Sequence, residues 1–136
     1  MNKHNTTFIF LSLLFLALLR PVHADDVEIL AADFSKTGDN SWSVSVTLKH
    51  SDTGWEHYAD NWQVVDSKKN VLGDRVLHHP HVDKQPFTRS LNNVVIPEGV
   101  TIVFIEAHDK THGWTQNRLK VDLSEATNRR LKIKSK

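Results

Sequence analysis

The sequence predicts an all-β domain, an antiparallel sandwich of about seven strands. Three observations predict it. Short segments alternate apolar and polar residues, turn-forming residues separate them every eight to twelve residues or so, and no convincing helix is found. Seven short strands in about a hundred residues favour a two-layer sandwich over other all-β arrangements.

The clearest strand spans residues 41–50, where every second residue is large or apolar: Trp42, Val44, Val46, Leu48 and His50. Such alternation is typical of a half-buried strand, and here the buried row ends in a histidine. The other strands are predicted from β-branched or aromatic runs between turn formers, at residues 27–34, 61–66, 71–77, 87–95, 100–108 and 117–123.

Two local features favour an immunoglobulin/fibronectin-III-like sandwich. Trp62 begins the predicted third strand, where domains of this type usually bury an aromatic side chain. The spacing of apolar residues from Leu91 to Asp109 resembles the penultimate strand pair of such sandwiches. A strand tryptophan is most often simply part of the core, so the prediction depends on both features together.

The N-terminus predicts export to the periplasm or the exterior. Lys3 is followed by an apolar run of twelve residues, Phe8 to Leu19, shorter than the roughly 20 residues needed to span a bilayer. We therefore expect residues 1–24 to be a cleaved signal peptide rather than an anchor. Residues 25–127 then form the sandwich domain, and residues 128–136 form a basic flexible tail.

Composition excludes several classes. Without Lys3 and Arg20, 17 − 2 = 15 basic residues face 16 acidic ones, and this balance gives no sign of nucleic-acid binding. The mature chain is expected to have no integral membrane segment. It has no cysteine, and its single methionine is the initiator. Packing must therefore provide the stability, and a lipid anchor on cysteine is not expected.

Strand order predicts where the histidines gather. In an alternating antiparallel array, the second, fourth and sixth connections lie at one end of the sandwich. These three connections are long and, with the adjoining strand ends, they contain all seven histidines of the predicted mature chain. Functional residues concentrate on loops held by a rigid scaffold, so this end is the candidate site.

Imidazole is the commonest protein ligand for zinc and copper. His79-Pro80-His81 places two rings on one side of an extended segment stiffened by proline. The candidate metal ligands are His50, His57, His79, His81 and His112. Without cysteine or methionine, Zn(II) or Cu(II) is expected rather than Cu(I). Any one of these histidines, taken alone, is more often a turn cap or a backbone hydrogen-bond donor.

Neighbouring residues leave a second function open. Asp109 is expected to orient a histidine, and Arg89 either grips a carboxylate or is an outward strand residue beside an acidic neighbour. Trp55, Tyr58 and Trp114 are expected to form an aromatic platform. The same end would then be a metal-free binding or interaction module whose partner is another exported or membrane protein. An enzyme is less expected, because no nucleophile motif is present.

Three segments carry a resemblance: His50 to Asp60, Leu77 to Leu91 with its His-Pro-His and Gln-Pro-Phe-Thr-Arg motifs, and Ala107 to Gly113. They resemble a family of small, uncharacterised exported bacterial proteins with an immunoglobulin-like sandwich. The resemblance covers most of the mature chain. It implies export and domain identity, and it includes five histidines in the pattern, at positions 50, 57, 79, 81 and 112.

Overall fold

The computed structural model describes residues 26–125 and 127–135. The predicted signal peptide, residues 1–24, lies outside the described residues. Nine strands are present in the described part of the chain. They are β1 Glu28–Lys36, β2 Ser41–Lys49, β3 Ala59–Asp66, β4 Val71–Val76, β5 Phe87–Val95, β6 Ile102–Asp109, β7 Gly113–Trp114, β8 Leu119–Asp122 and β9 Leu131–Lys134.

The strands form two sheets that pack face to face. One sheet has the order β5-β2-β1-β9, and the other has the order β4-β3-β6-β7, with β8 also paired to β6. All these pairings are antiparallel except that of β1 with β9. One hydrophobic core lies between the sheets, and its fully buried side chains include Phe34, Val44, Val46, Leu48, Trp62, Val64, Val103 and Ile105.

The predicted all-β sandwich is confirmed, and each of the seven predicted strands has a counterpart within a few residues. In β2 the expected alternation is present, because Trp42, Val44, Val46 and Leu48 are all buried. His50 follows β2 and continues its buried row with 3% exposure. Placement within the immunoglobulin/fibronectin-III-like type stays a prediction.

The C-terminal segment differs from the predicted flexible tail. Leu131–Lys134 forms β9 and pairs in parallel with β1, and Leu131 and Ile133 pack against the core. Arg130 donates to the backbone carbonyls of Ile29 and Leu30. Leu131 and Ile133 are spaced two residues apart, as a strand requires, and the surrounding run of basic residues concealed this period.

Register brings three connections to one end of the sandwich. Leu48 near the end of β2 lies opposite Phe87 at the start of β5. Ala59 at the start of β3 lies opposite Asp109 at the end of β6. The connections β2–β3, β4–β5 and β6–β7 therefore meet at one end. In the described ranges, no helix is long and apolar enough to cross a membrane.

The strand β9 should contribute measurably to stability. We expect a Leu131→Ser/Ile133→Ser variant to lose about 1–2 kcal/mol of unfolding free energy in urea, because two half-buried aliphatic side chains leave the core. Lys132→Ser/Lys134→Ser is the matched control, since both lysines are exposed. Equal urea midpoints for the two variants would contradict a packed β9.

Candidate metal centre

His50, His57 and Asp109 come together from three segments, and we call them the central group. His50 directly follows β2, Asp109 ends β6, and His57 closes a tight turn through a bridge with Gly54. Gly54 has a φ of 152°, which side chains rarely adopt, so glycine permits the turn. One ligand atom from each of the three residues lies within 4.8 Å of the others.

Distances within the central group suit co-ligands of one ion. His50 Nε2 lies 3.8 Å from Asp109 Oδ2, and His57 Nε2 lies 3.6 Å from Asp109 Oδ1. Both are longer than a good hydrogen bond. Metal–ligand distances of about 2.1 Å place tetrahedral co-ligands about 3.4 Å apart, close to the separations found here.

Burying these polar and charged side chains costs free energy unless each has a hydrogen-bond or charge partner. The His57 Nε2 atom is buried and has no hydrogen-bond partner in the described part of the chain. Asp109 and Asp52 have side-chain exposures of 1% and 0%. Across the described residues, the ion pairs of these two carboxylates are all with histidine. Buried charge of this kind requires a positive partner, either a protonated imidazole or a bound cation.

Asp52 orients His50, and it was absent from the predicted site residues. Its Oδ1 lies 2.6 Å from His50 Nδ1 and accepts the Ala59 backbone N–H at 3.0 Å. Its Oδ2 accepts the backbone N–H of His81 at 2.7 Å. A carboxylate on Nδ1 keeps the proton there, so Nε2, which lies on the side of Asp109, is the candidate ligand atom. The sequence signal was the His-x-Asp spacing after a buried row.

Asp109 lies inside the central group, whereas the sequence predicted that it orients a ligand from outside. Its Oδ1 accepts the backbone N–H groups of Thr111 and His112 at 2.8 and 2.6 Å. Oδ2 accepts no backbone N–H in the described chain and faces His50. The carboxylate is therefore held by its own turn, with Oδ2 nearest to His50 and Oδ1 nearest to His57.

His112 touches the central group from its solvent side. Its ring lies 5.2 Å from the His57 ring, and its Nδ1 lies 3.2 Å from both oxygens of Asp109. A carboxylate only accepts hydrogen bonds, so Nδ1 carries the proton and donates. Gly113, with a φ of 80°, reverses the chain directly after His112.

His79 and His81 lie together outside the central group, and His81 lies beside Asp52. Their rings are 4.6 Å apart, and His81 stacks on Phe87 at 3.9 Å. Arg89 donates to His81 Nε2 at 2.7 Å, because a guanidinium has no acceptor. The proton of neutral His81 is then on Nδ1, 4.0 Å from Asp52 Oδ2. In this arrangement His81 supports the loop and presents no free lone pair.

Within the described ranges, Arg89 is held by its own strand and by His81. Its other hydrogen bond goes to the Thr88 carbonyl, and its guanidinium lies 5.7 Å from the Phe87 ring centre. In the structure it therefore braces His81 from the β5 side.

The predicted aromatic platform is divided. Trp55 is 64% exposed at the tip of the turn before His57, and Tyr58 lies beneath it, 8% exposed, with ring centres 5.9 Å apart. Lys110 Nζ donates to the Trp55 carbonyl at 2.9 Å and covers the Tyr58 ring. Trp114 is 42% exposed and packs instead on His108.

The chain is similar to a protein of Halomicrobium mukohataei that bears the name "Putative lipoprotein". The two are 39% identical over 111 residues, which make up 82% of this chain and 52% of the relative. The chain therefore spans about half the length of this relative. No protein-family model matches the chain, and no solved structure matches it.

The burial of His81 predicts a loss of stability in acid. Desolvation, followed by the charge of Arg89, lowers the pKa of His81 below its ordinary value of 6.5. The unfolded chain therefore takes up this proton at a higher pH than the folded protein does. The His81 contribution is fully present above pH 6.5 or so and is lost as pH falls through the folded-state pKa.

We expect wild-type protein to lose more unfolding free energy than His81→Gln between about pH 7.5 and 5.5. Glutamine still offers Arg89 an acceptor but does not titrate. His78→Gln is the control, because His78 is exposed. Urea unfolding at several pH values measures the difference, and a His81→Gln slope equal to that of wild type would contradict it.

Proposed function

We propose that this protein is an exported metal-binding protein, which holds Zn(II) or Cu(II) between His50, His57 and Asp109. One observation carries the proposal. The buried Nε2 atom of His57, which has no hydrogen-bond partner in the described chain, faces a buried carboxylate at 3.6 Å. A divalent ion would satisfy both groups at once.

The donor set selects the class of metal. Two imidazole nitrogens and one carboxylate oxygen suit Zn(II) and Cu(II), whereas Ca(II) and Mg(II) prefer oxygen ligands alone. The chain has no cysteine, and its one methionine lies in the predicted signal peptide. The thiolate and thioether ligands that favour Cu(I) are therefore lacking in the predicted mature protein.

Charge supports the same assignment. Asp52 and Asp109 bring two carboxylates into a region where their ion pairs, among the residues described, are with imidazoles alone. A divalent cation matches these two charges while the histidines stay neutral. The hydrogen bond from His50 Nδ1 to Asp52 also fixes the orientation of His50 as a ligand.

Export rests on two supports. The N-terminal sequence has the order of a cleaved signal, and the relative with 39% identity is named a lipoprotein, which indicates the cell envelope for that protein. Periplasmic or secreted localisation is accordingly part of the proposal.

Calorimetric titration of the metal-free mature protein tests the proposal. We expect one Zn(II) or Cu(II) per chain with a dissociation constant below about 1 μM. His57→Ala and Asp109→Asn should each weaken binding by more than the roughly 10- to 100-fold expected for losing a hydrogen-bond partner of a ligand. His78→Ala is the matched control, and equal affinities for His57→Ala and His78→Ala would overturn the proposal.

The role of Asp52 predicts a smaller effect. Asp52→Asn keeps one acceptor oxygen for the Ala59 N–H but removes the carboxylate charge beside His50 Nδ1 and the oxygen that accepts the His81 N–H. We therefore expect affinity to fall by about 10- to 100-fold with one site retained. Asp60→Asn is a matched control, because Asp60 pairs with His108 Nδ1 at 2.5 Å outside the central group. If both variants bind equally well, the orienting role of Asp52 is wrong.

A metal-free binding surface at the same end is the second candidate, and the exposure of Trp55 favours it. A 64% exposed tryptophan at a loop tip is typical of a contact residue. Tryptophan fluorescence in the presence of chelator, titrated with exported or membrane partners, tests it. A response that persists in chelator and disappears in Trp55→Ala would support this candidate over the metal site.

A further inference from the structure

We infer that the central group, once it holds its ion, keeps one coordination position open for a small anion supplied from solution. The inference rests on the proposed function. It adds that the site binds an exogenous ligand as well as a metal, and so differs from a closed structural site.

The central group offers three protein ligands to an ion. Zinc is usually four-coordinate, and sites with three protein ligands hold water or substrate in the fourth position. The central group supplies three ligand atoms within 4.8 Å of one another. His81, the nearest additional buried imidazole, accepts from Arg89 and lies behind Asp52.

His112 is the remaining imidazole in contact with the central group. Its Nδ1 is committed as a donor to the Asp109 carboxylate, at 3.2 Å from each oxygen. In an imidazole the two nitrogens point in divergent directions, so Nε2 of His112 is directed away from Asp109. His112 therefore holds a ligand in place and leaves the fourth position free.

The four side chains at the site differ in their exposure to solvent. His50 and Asp109 are closed off, with side-chain exposures of 0% and 1%. His57 and His112 are open to solvent, at 20% and 35%. The free position is consequently reached from the side that these two imidazoles share.

Positive charge near the central group favours an anion over a neutral molecule as the ligand from solution. Lys110 directly follows Asp109, and its ammonium is fixed on the carbonyl of Trp55, two residues before His57. Two carboxylates already match the charge of a divalent ion, so the charge of an added anion would be met by the Lys110 ammonium.

Cobalt(II) serves as a probe, because its visible absorption reports the number and kind of ligands. Metal-free mature protein would be loaded with Co(II) and titrated with sodium azide, acetate or phosphate, with sodium perchlorate holding the ionic strength constant. We expect saturable shifts of the Co(II) bands with azide and acetate in wild type. Phosphate distinguishes whether the position also accepts a tetrahedral oxyanion.

Two variants separate the alternatives. His112→Ala removes the hydrogen bond that holds Asp109, so it should bind Co(II) more weakly, but once loaded it should keep the anion response, because His112 is not the fourth ligand. Lys110→Met should bind Co(II) as wild type does and weaken azide binding by about two- to fivefold. The inference would be overturned if none of the three anions shifted the Co(II) bands of wild type while they shifted those of His112→Ala. That result would show that His112 is the fourth ligand.

The same experiment distinguishes failure of the metal site from failure of the open position. Co(II) that binds with bands insensitive to every anion in wild type and in both variants overturns the open position and leaves metal binding intact. A chain that takes up no Co(II) overturns the proposed function together with this inference.

Discussion

The functional end of the molecule depends on the hydrogen bonds that the buried carboxylate of Asp52 accepts. It is fully enclosed, and it accepts hydrogen bonds from the His50 ring, the Ala59 backbone and the His81 backbone. These three partners belong to the end of β2, the start of β3 and the connection before β5. One side chain therefore ties the β2–β3 connection to the segment before β5, 29 residues further along the chain, and it also sets the orientation of the His50 ring.

This polar tie fits the composition of the chain. A domain without cysteine has no disulfides to hold long loops, so its loops require other internal partners. Asp52, Asp109 and the stack of His81 on Phe87 provide them, with Arg89 bracing His81 from β5. The cost is the burial of two carboxylates and of the imidazoles of His50 and His81, and a bound cation would offset that cost.

Much of the fold was predictable because strand alternation is a local signal. The row of Trp42, Val44, Val46 and Leu48 identified β2, and strand order placed the histidine-bearing connections at one end. The strand β9 was missed, because its two apolar residues lie among lysines and its partner β1 is about a hundred residues away. Parallel pairing at such a separation leaves no local trace.

The central group was predictable only in part. Strand order identified His50 and His57 as candidates, but which histidines share a centre depends on loop geometry. His81 has its Nε2 occupied by Arg89, and Asp109 directs an oxygen at His50. These facts depend on side-chain direction across strands, which spacing in the sequence does not encode.

Anomalous diffraction at the zinc edge, from crystals of the mature protein loaded with one equivalent of Zn(II), tests the central claim most directly. We expect one strong peak about 2.1 Å from both His50 Nε2 and His57 Nε2, with Asp109 as the third ligand. A peak at another group of residues, such as His79 and His81, or no ordered peak at all, would contradict it.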